Sequence, residues 1–195
     1  DVAQPNSPEF VGFYDAYSTM LNVHVRGNVA YVTDSGYLIV PNVLHILDVS
    51  DPDTPVEIDT LYDSVTGSTQ LYDVIVRDQY AFFSDEYVAG GTGFVVVDID
   101  PSSPNYLTSY SAISTTGVDA ALDVVGNYAF LTSNEETNAL RLLDARDPES
   151  MTDLSIVESI GWANADPREV IVRGKYIYLA DANNGLIIVD ALPSE

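Results

Sequence analysis

Residues Arg173–Asp190 read RGKYIYLADANNGLIIVD, and this stretch decides the fold. Tyr176–Leu179 is a short run of aromatic and aliphatic side chains, the composition of a β-strand. Asp181–Gly185 (DANNG) follows, and Asn and Gly accept the positive φ angles that a tight turn needs. Leu186–Val189 is a second apolar run, and Asp190 closes it. Working outward, the same unit returns as Arg26–Asp48 (RGNVAYVTD…VLHILD), Arg77–Asp98 (RDQYAFFSD…FVVVD) and Val125–Asp144 (VGNYAFLTS…LRLLD). The closing residues Asp48, Asp98, Asp144 and Asp190 stand 50, 46 and 46 residues apart. A period of this length marks a stacked or radial array.

One period further back lies Asp1, and Asp1–Phe10 (DVAQPNSPEF) matches Asp48–Glu57 (DVSDPDTPVE). The chain therefore reads as one repeat domain over residues 1–195, with repeats 1–47, 48–97, 98–143 and 144–189. Repeat 48–97 holds four strand-like segments: Pro55–Tyr62, Tyr72–Arg77, Gln79–Ser84 and Gly93–Asp98. Four short antiparallel strands per repeat, repeated radially, predict an all-β fold, a β-propeller of four-stranded blades. Helical repeats would show a 3.6-residue apolar period, and none is present. A β-sandwich shares the short strands and frequent turns but does not explain the faithful period.

The recurring pattern is V-x-V-x-G-N-Y-A-Y-V-A-D…G-L-x-I-V-D-V-S-D-P-x-x-P. It is carried by Val23–Asp34 with Leu47–Pro55, Val74–Asp85 with Val95–Pro104, Val124–Thr132 with Leu142–Pro148, and Val170–Asp190. In these residues the chain resembles the LVIVD-repeat proteins. The resemblance covers nearly all of the chain. It implies a β-propeller in a bacterial or archaeal protein that is exported or attached to the cell surface, and it is almost silent on activity. Two departures stand out. Family members often have more than four repeats, and the third repeat (ALDVVGNYAF) reads one residue short before Gly126.

By propeller convention the V-x-V strand is innermost and the P-x-x-P-led strand outermost. Pro8–Tyr14 (PEFVGFY) is then an outer strand without a blade, and Arg168–Asp190 is three strands without an outer one. Unpaired strand edges are costly, so the N-terminal strand is expected to complete the last blade, in its own chain or in a neighbour. Donation to a neighbour would make a filament through residues 1–18, with Phe10, Val11, Phe13 and Tyr14 as assembly residues. A third option is a piece of a longer array.

Thirty acidic against seven basic residues give a formal charge of −23, which argues against nucleic acid and anionic membrane surfaces. A secreted protein, a salt-adapted one and a cation-binding one all fit this balance. No apolar run approaches the roughly 18–20 residues of a membrane span, so no membrane insertion is expected. The chain opens on Asp with no visible signal peptide and reads as a processed product or a fragment. With no cysteine, disulfides, thiolate metal sites and cysteine nucleophiles are excluded.

Three groups of residues are candidates for chemistry. Asn22, Asp73, Asp123 and Glu169 precede the innermost strands, with Asp123 aligned only if the deletion in repeat three falls after it. In a closed ring they would converge at one channel mouth, as hard oxygen ligands for Ca2+ or as strand-end caps meeting water. Asp48, Asp51 and Asp53, with Asp98, Asp100, Asp144 and Asp147, suggest a cation loop or Asx turns, and their spacing departs from the EF-hand pattern. Tyr37, Tyr87 and Trp162, with Leu38, Ile39 and Val88, fall in variable loops of one face, where a protein or glycan would bind or where they would cover the blade tops.

His24 and His45 lack a third ligand at recognisable spacing, and no nucleophile elbow, Walker loop or H-E-x-x-H is present. The expectation is a non-enzymatic extracellular or cell-surface module for adhesion, surface-layer or matrix assembly. The cofactor these residues suggest is Ca2+, with Mg2+ suited to the same oxygen ligands. The alternatives are a filament subunit, a homo-polymer joined through residues 1–18, and a carbohydrate-active hydrolase.

Overall fold

The computed structural model describes residues 9–16, 19–34, 42–62, 71–85, 93–113, 121–133, 140–157 and 165–191. Among them are four antiparallel meanders. The first sheet is β1 (Met20–Arg26), β2 (Val29–Asp34), β3 (Asn42–Asp48) and β4 (Val56–Tyr62). The second is β5 (Leu71–Arg77), β6 (Tyr80–Asp85), β7 (Phe94–Asp98) and β8 (Ser109–Ile113). The third is β9 (Leu122–Val125), β10 (Tyr128–Thr132), β11 (Leu140–Asp144) and β12 (Thr152–Val157). The fourth has three strands, β13 (Pro167–Arg173), β14 (Tyr176–Asp181) and β15 (Gly185–Asp190). Among the described residues no helix is long and apolar enough to cross a membrane.

Each first hairpin turns on two residues, the first of them left-handed. Gly27, Gly126 and Gly174 take φ near +60° there, while the second sheet uses Asp78 at φ 52°. Each third strand of the first three sheets ends in an Asx turn. Asp48, Asp98 and Asp144 accept the backbone amides of Ser50, Asp100 and Arg146 at 2.8, 2.9 and 3.0 Å. The aspartate-rich loops therefore have a local role in ending strands.

The hairpin register corrects one reading of the sequence. Val125 pairs with Tyr128 just as Arg26 pairs with Val29, Arg77 with Tyr80 and Arg173 with Tyr176. The third repeat is therefore not short at this point. Ala121 stands where the other sheets carry Asn22, Asp73 and Glu169, and Asp123 aligns with His24, Ile75 and Ile171.

Alternation along the strands gives every sheet two apolar faces. Tyr31, Leu44, Ile46 and Leu61 of the first sheet pack with Leu71, Val74, Val76 and Phe83 of the second. Phe82, Phe94 and Val96 then meet Leu122, Leu131 and Leu143 of the third. Phe130 and Leu140 in turn meet Val170, Val172, Ile177 and Leu179 of the fourth. The inner strands follow suit, β1 on β5, β5 on β9 and β9 on β13, but no comparable packing joins β13 to β1. Val74 and Val76 are 1% and 7% exposed, whereas their first-sheet counterparts Val23 and Val25 are each 57% exposed. At the far end Leu186 and Ile188 are 68% and 55% exposed, whereas Phe94 and Val96 at the same positions are fully buried.

The N-terminal segment differs from the strand expected at Pro8–Tyr14. Residues 9–16 have no strand pairing, and β15 is the edge of its sheet among the described residues. The segment lies on the first sheet instead. Gly12 packs against the backbone of Pro52 and Asp53, too closely for any side chain there. The Tyr14 ring lies 5.9 Å from that of His45, tilted to it by 54°, and its hydroxyl donates a hydrogen bond to Glu57. Glycine and irregular backbone fit this close approach better than a ladder does.

Candidate functional site

Asn22, Asp73, Asp123 and Glu169 come together as the lining of one cavity of about 180 Å3, where the inner strands of the four sheets meet. Asp73 reaches it from a register break between Leu71 and Val74. One of its oxygens accepts the amide of Val74 at 2.8 Å, the other the amide of Leu122 in the next sheet at 3.0 Å. Asp123, two positions further along its strand, accepts the amide of Val172 in the sheet after that at 2.7 Å. Two carboxylates thus tie β5 to β9 and β9 to β13.

Hydroxyls at the ends of the second strands complete the arrangement. Thr33, Ser84 and Thr132 accept the amides of Asn22, Asp73 and Ala121 at 3.0, 3.1 and 3.1 Å. Thr33 also donates toward the carbonyl of Tyr72 in the second sheet at 3.2 Å. Ala180 occupies this position in the fourth sheet and offers no hydroxyl.

Burial raises the Asp73 pKa above the ordinary carboxylate range, and the charge of Asp123 adds to it against the two amides that lower it. Glu169 is raised by partial burial and by the charges of Asp73 and Asp123. Asp73 and Glu169 thus resist ionisation, and both oxygens of Asp73 and one of Asp123 accept backbone amides. Among the described residues no three His, Asp or Glu side chains are placed to hold a metal ion. What the cluster does chemically is pin inner strands to one another.

Tyr37, Tyr87 and Trp162, with Leu38, Ile39 and Val88, lie outside the described residues. Of the assembly residues, Phe10 and Phe13 are 82% and 72% exposed, Val11 is exposed, and Tyr14 is held on the first sheet.

Sequence reasoning missed a polar chain on that sheet. Buried His45 lies 3.2 Å from Asp34 through Nε2 and 2.7 Å from Glu57 through Nδ1, and Tyr14 closes on the same Glu57 oxygen. Burial pushes Glu57 up, but hydrogen bonds from Tyr14, His45 and Thr60 outweigh it and hold the carboxyl below its usual range. The available signal was alternation: His45 lies between Leu44 and Ile46 and so faces away from the core that they enter.

A model of the LVIVD repeat matches residues 20–63, 67–112 and 165–194, which is more than half of the chain. The third sheet lies between the matched segments. Among curated proteins none matches the sequence. Solved structures do resemble the fold. The computationally designed Ika4 protein superposes with a TM-score of 0.63 at 10% identity, over 94% of this chain and 98% of that one. BamB from Moraxella catarrhalis gives 0.61 at 14% identity, over 91% and 48%. Apo AztD from Citrobacter koseri gives 0.57 at 15% identity, over 90% and 45%. The chain thus spans about half the length of BamB and AztD, and the likeness is one of β-propeller-like fold alone.

Proposed function

The chain belongs to the LVIVD-repeat family, and on that premise we propose that it is a non-enzymatic extracellular structural module. Its work is assembly, in a surface layer or matrix, by packing its last sheet against the first sheet and N-terminal segment of another copy. The observation that carries this reading is the pair of uncovered faces, Val23 and Val25 on β1 and Leu186 and Ile188 on β15. At roughly 25 cal/mol per Å2 of apolar surface, covering each half-exposed side chain contributes on the order of 1 kcal/mol. The edge of β15 adds main-chain hydrogen bonds to whatever strand joins it.

Residues 1–18 supply that strand. Phe10 corresponds to Glu57 and Val189 to Leu47 in the repeat, and Glu57 and Leu47 are cross-strand partners on β4 and β3. Tyr14, the counterpart of Leu61, already lies on the first sheet as an outer strand would lie on the next blade. The sequence has no cysteine, so Phe10→Cys with Val189→Cys tests the pairing directly. Oxidation should give a ladder of cross-linked chains on a denaturing gel. Cross-linking only within single chains would mean a ring closed in one chain, with binding left to the loop face. No cross-link at all would remove the strand pairing from the proposal.

A further inference from the structure

An arginine repeats at the end of the inner strand: Arg26, Arg77 and Arg173, with Val125 in the third sheet. Arg26 donates to the carbonyl of Asp78, the first residue of the next sheet's hairpin turn. Arg77 shows the full cradle. Its Nη1 donates to the carbonyl of Gly126 and its Nη2 to that of Ala145 at 2.8 Å, while the guanidinium lies 5.2 Å over the ring of Phe82. Two carbonyls and an aromatic face form a receptor for a planar cation.

One junction later the receptor stands without its arginine. Val125 is too short to reach across, and a cavity of about 320 Å3 lies between the third and fourth sheets. Phe130, Gly174 and Ala191 line it, and these are the counterparts of Phe82, Gly126 and Ala145. Tyr128, Leu142 and Leu154 supply apolar walls. The one basic residue in the lining, Lys175, is held by Asp190 at 2.7 Å and lies over Tyr176.

We propose that this cavity binds the arginine side chain of a partner polypeptide. The occupant is fixed by the molecule's own precedent, since Arg77 fills the same three-point cradle one blade earlier. The net charge of −23 favours a cationic guest. The proposal stands apart from assembly through β15, because it uses the junction between the third and fourth sheets rather than the uncovered ends.

The test uses short blocked peptides carrying arginine, lysine or citrulline at one position, titrated into the full chain and followed by NMR. The arginine peptide should bind saturably, at least tenfold tighter than the other two, with shifts centred on Val125, Phe130, Gly174 and Ala191. Val125→Arg should fill the cradle from within, weaken the peptide at least tenfold and raise the melting temperature. Equal binding of lysine or citrulline, no saturation by the arginine peptide, or undiminished binding to Val125→Arg would each overturn the proposal. So would a Val125→Arg chain that loses self-association while the parent ignores the peptide, because the arginine would then belong to a second copy. Should Val125→Arg fail to fold, the shift map on the parent chain decides alone.

Discussion

Asp73 on β5 accepts the backbone amide of Leu122 on β9 at 3.0 Å, so a side chain of one sheet caps the inner strand of the next. Asp123 repeats the move on Val172 at 2.7 Å. A buried amide deprived of its acceptor costs about 1–3 kcal/mol. Asp73→Ala should therefore lower stability by about that much in urea denaturation. A change within a few tenths of a kcal/mol would show that the clamp contributes nothing, since surface substitutions typically fall below about 0.5 kcal/mol.

The same carboxylate gives a pH dependence. The pKa of Asp73 is raised on folding, so the folded state holds the proton more tightly than the unfolded chain. Its contribution is fully present below the unfolded carboxylate value and is lost as pH rises through the folded one. Asp73→Asn has no such titration. The stability of the parent relative to the variant should fall as pH rises from about 4 toward neutrality. A rise over that range would reverse the sign of the shift.

Asp78 should be the weak turn. It holds φ 52° where the other three sheets place glycine. Because the Arg26 side chain donates to the main-chain carbonyl of Asp78, the substitution leaves that bond in place. Asp78→Gly should stabilise by up to about 1 kcal/mol, read from the thermal midpoint. A loss of stability would mean that the aspartate side chain has an unseen role.

Metal removal should be silent. Both oxygens of Asp73 and one of Asp123 accept backbone amides, and among the described residues no acidic cluster is placed to hold an ion. Chelation should leave the melting temperature unchanged, because a ligand stabilises only a fold that binds it. A drop on chelation, restored by Ca2+, would reinstate the cation site.

Much of the fold was legible because repetition multiplies weak signals. The four closing aspartates and the Asp181–Gly185 turn placed the strands, and turn chemistry is local. The position of Asp123 was not legible. It depends on which residue pairs with Tyr128, and a two-residue shift along a strand keeps a side chain on the same face. That is why Asp123 still lines the cavity from a different rung. The empty arginine cradle was hidden for another reason: Val125 looks unremarkable until Arg77 is seen bonded across to the next sheet. The packing of the N-terminal segment on the first sheet was not legible either, because a repeat match cannot tell a paired strand from a stretch that packs on the neighbouring face.

Tyr14 offers a way to separate that packing from assembly. Its hydroxyl donates to Glu57, so Tyr14→Phe should cost about 0.5–1.5 kcal/mol in urea denaturation while leaving the exposed Phe10 and Phe13 in place. An unchanged stability would mean that the segment is not anchored by this bond.

Assembly through the uncovered end sheets is tested most directly by the mass of the purified chain, measured by light scattering over a concentration series. It predicts species heavier than the 21.2 kDa of one chain, growing with concentration and reduced to single chains by Phe10→Asp. A mass of 21.2 kDa at every concentration would contradict it.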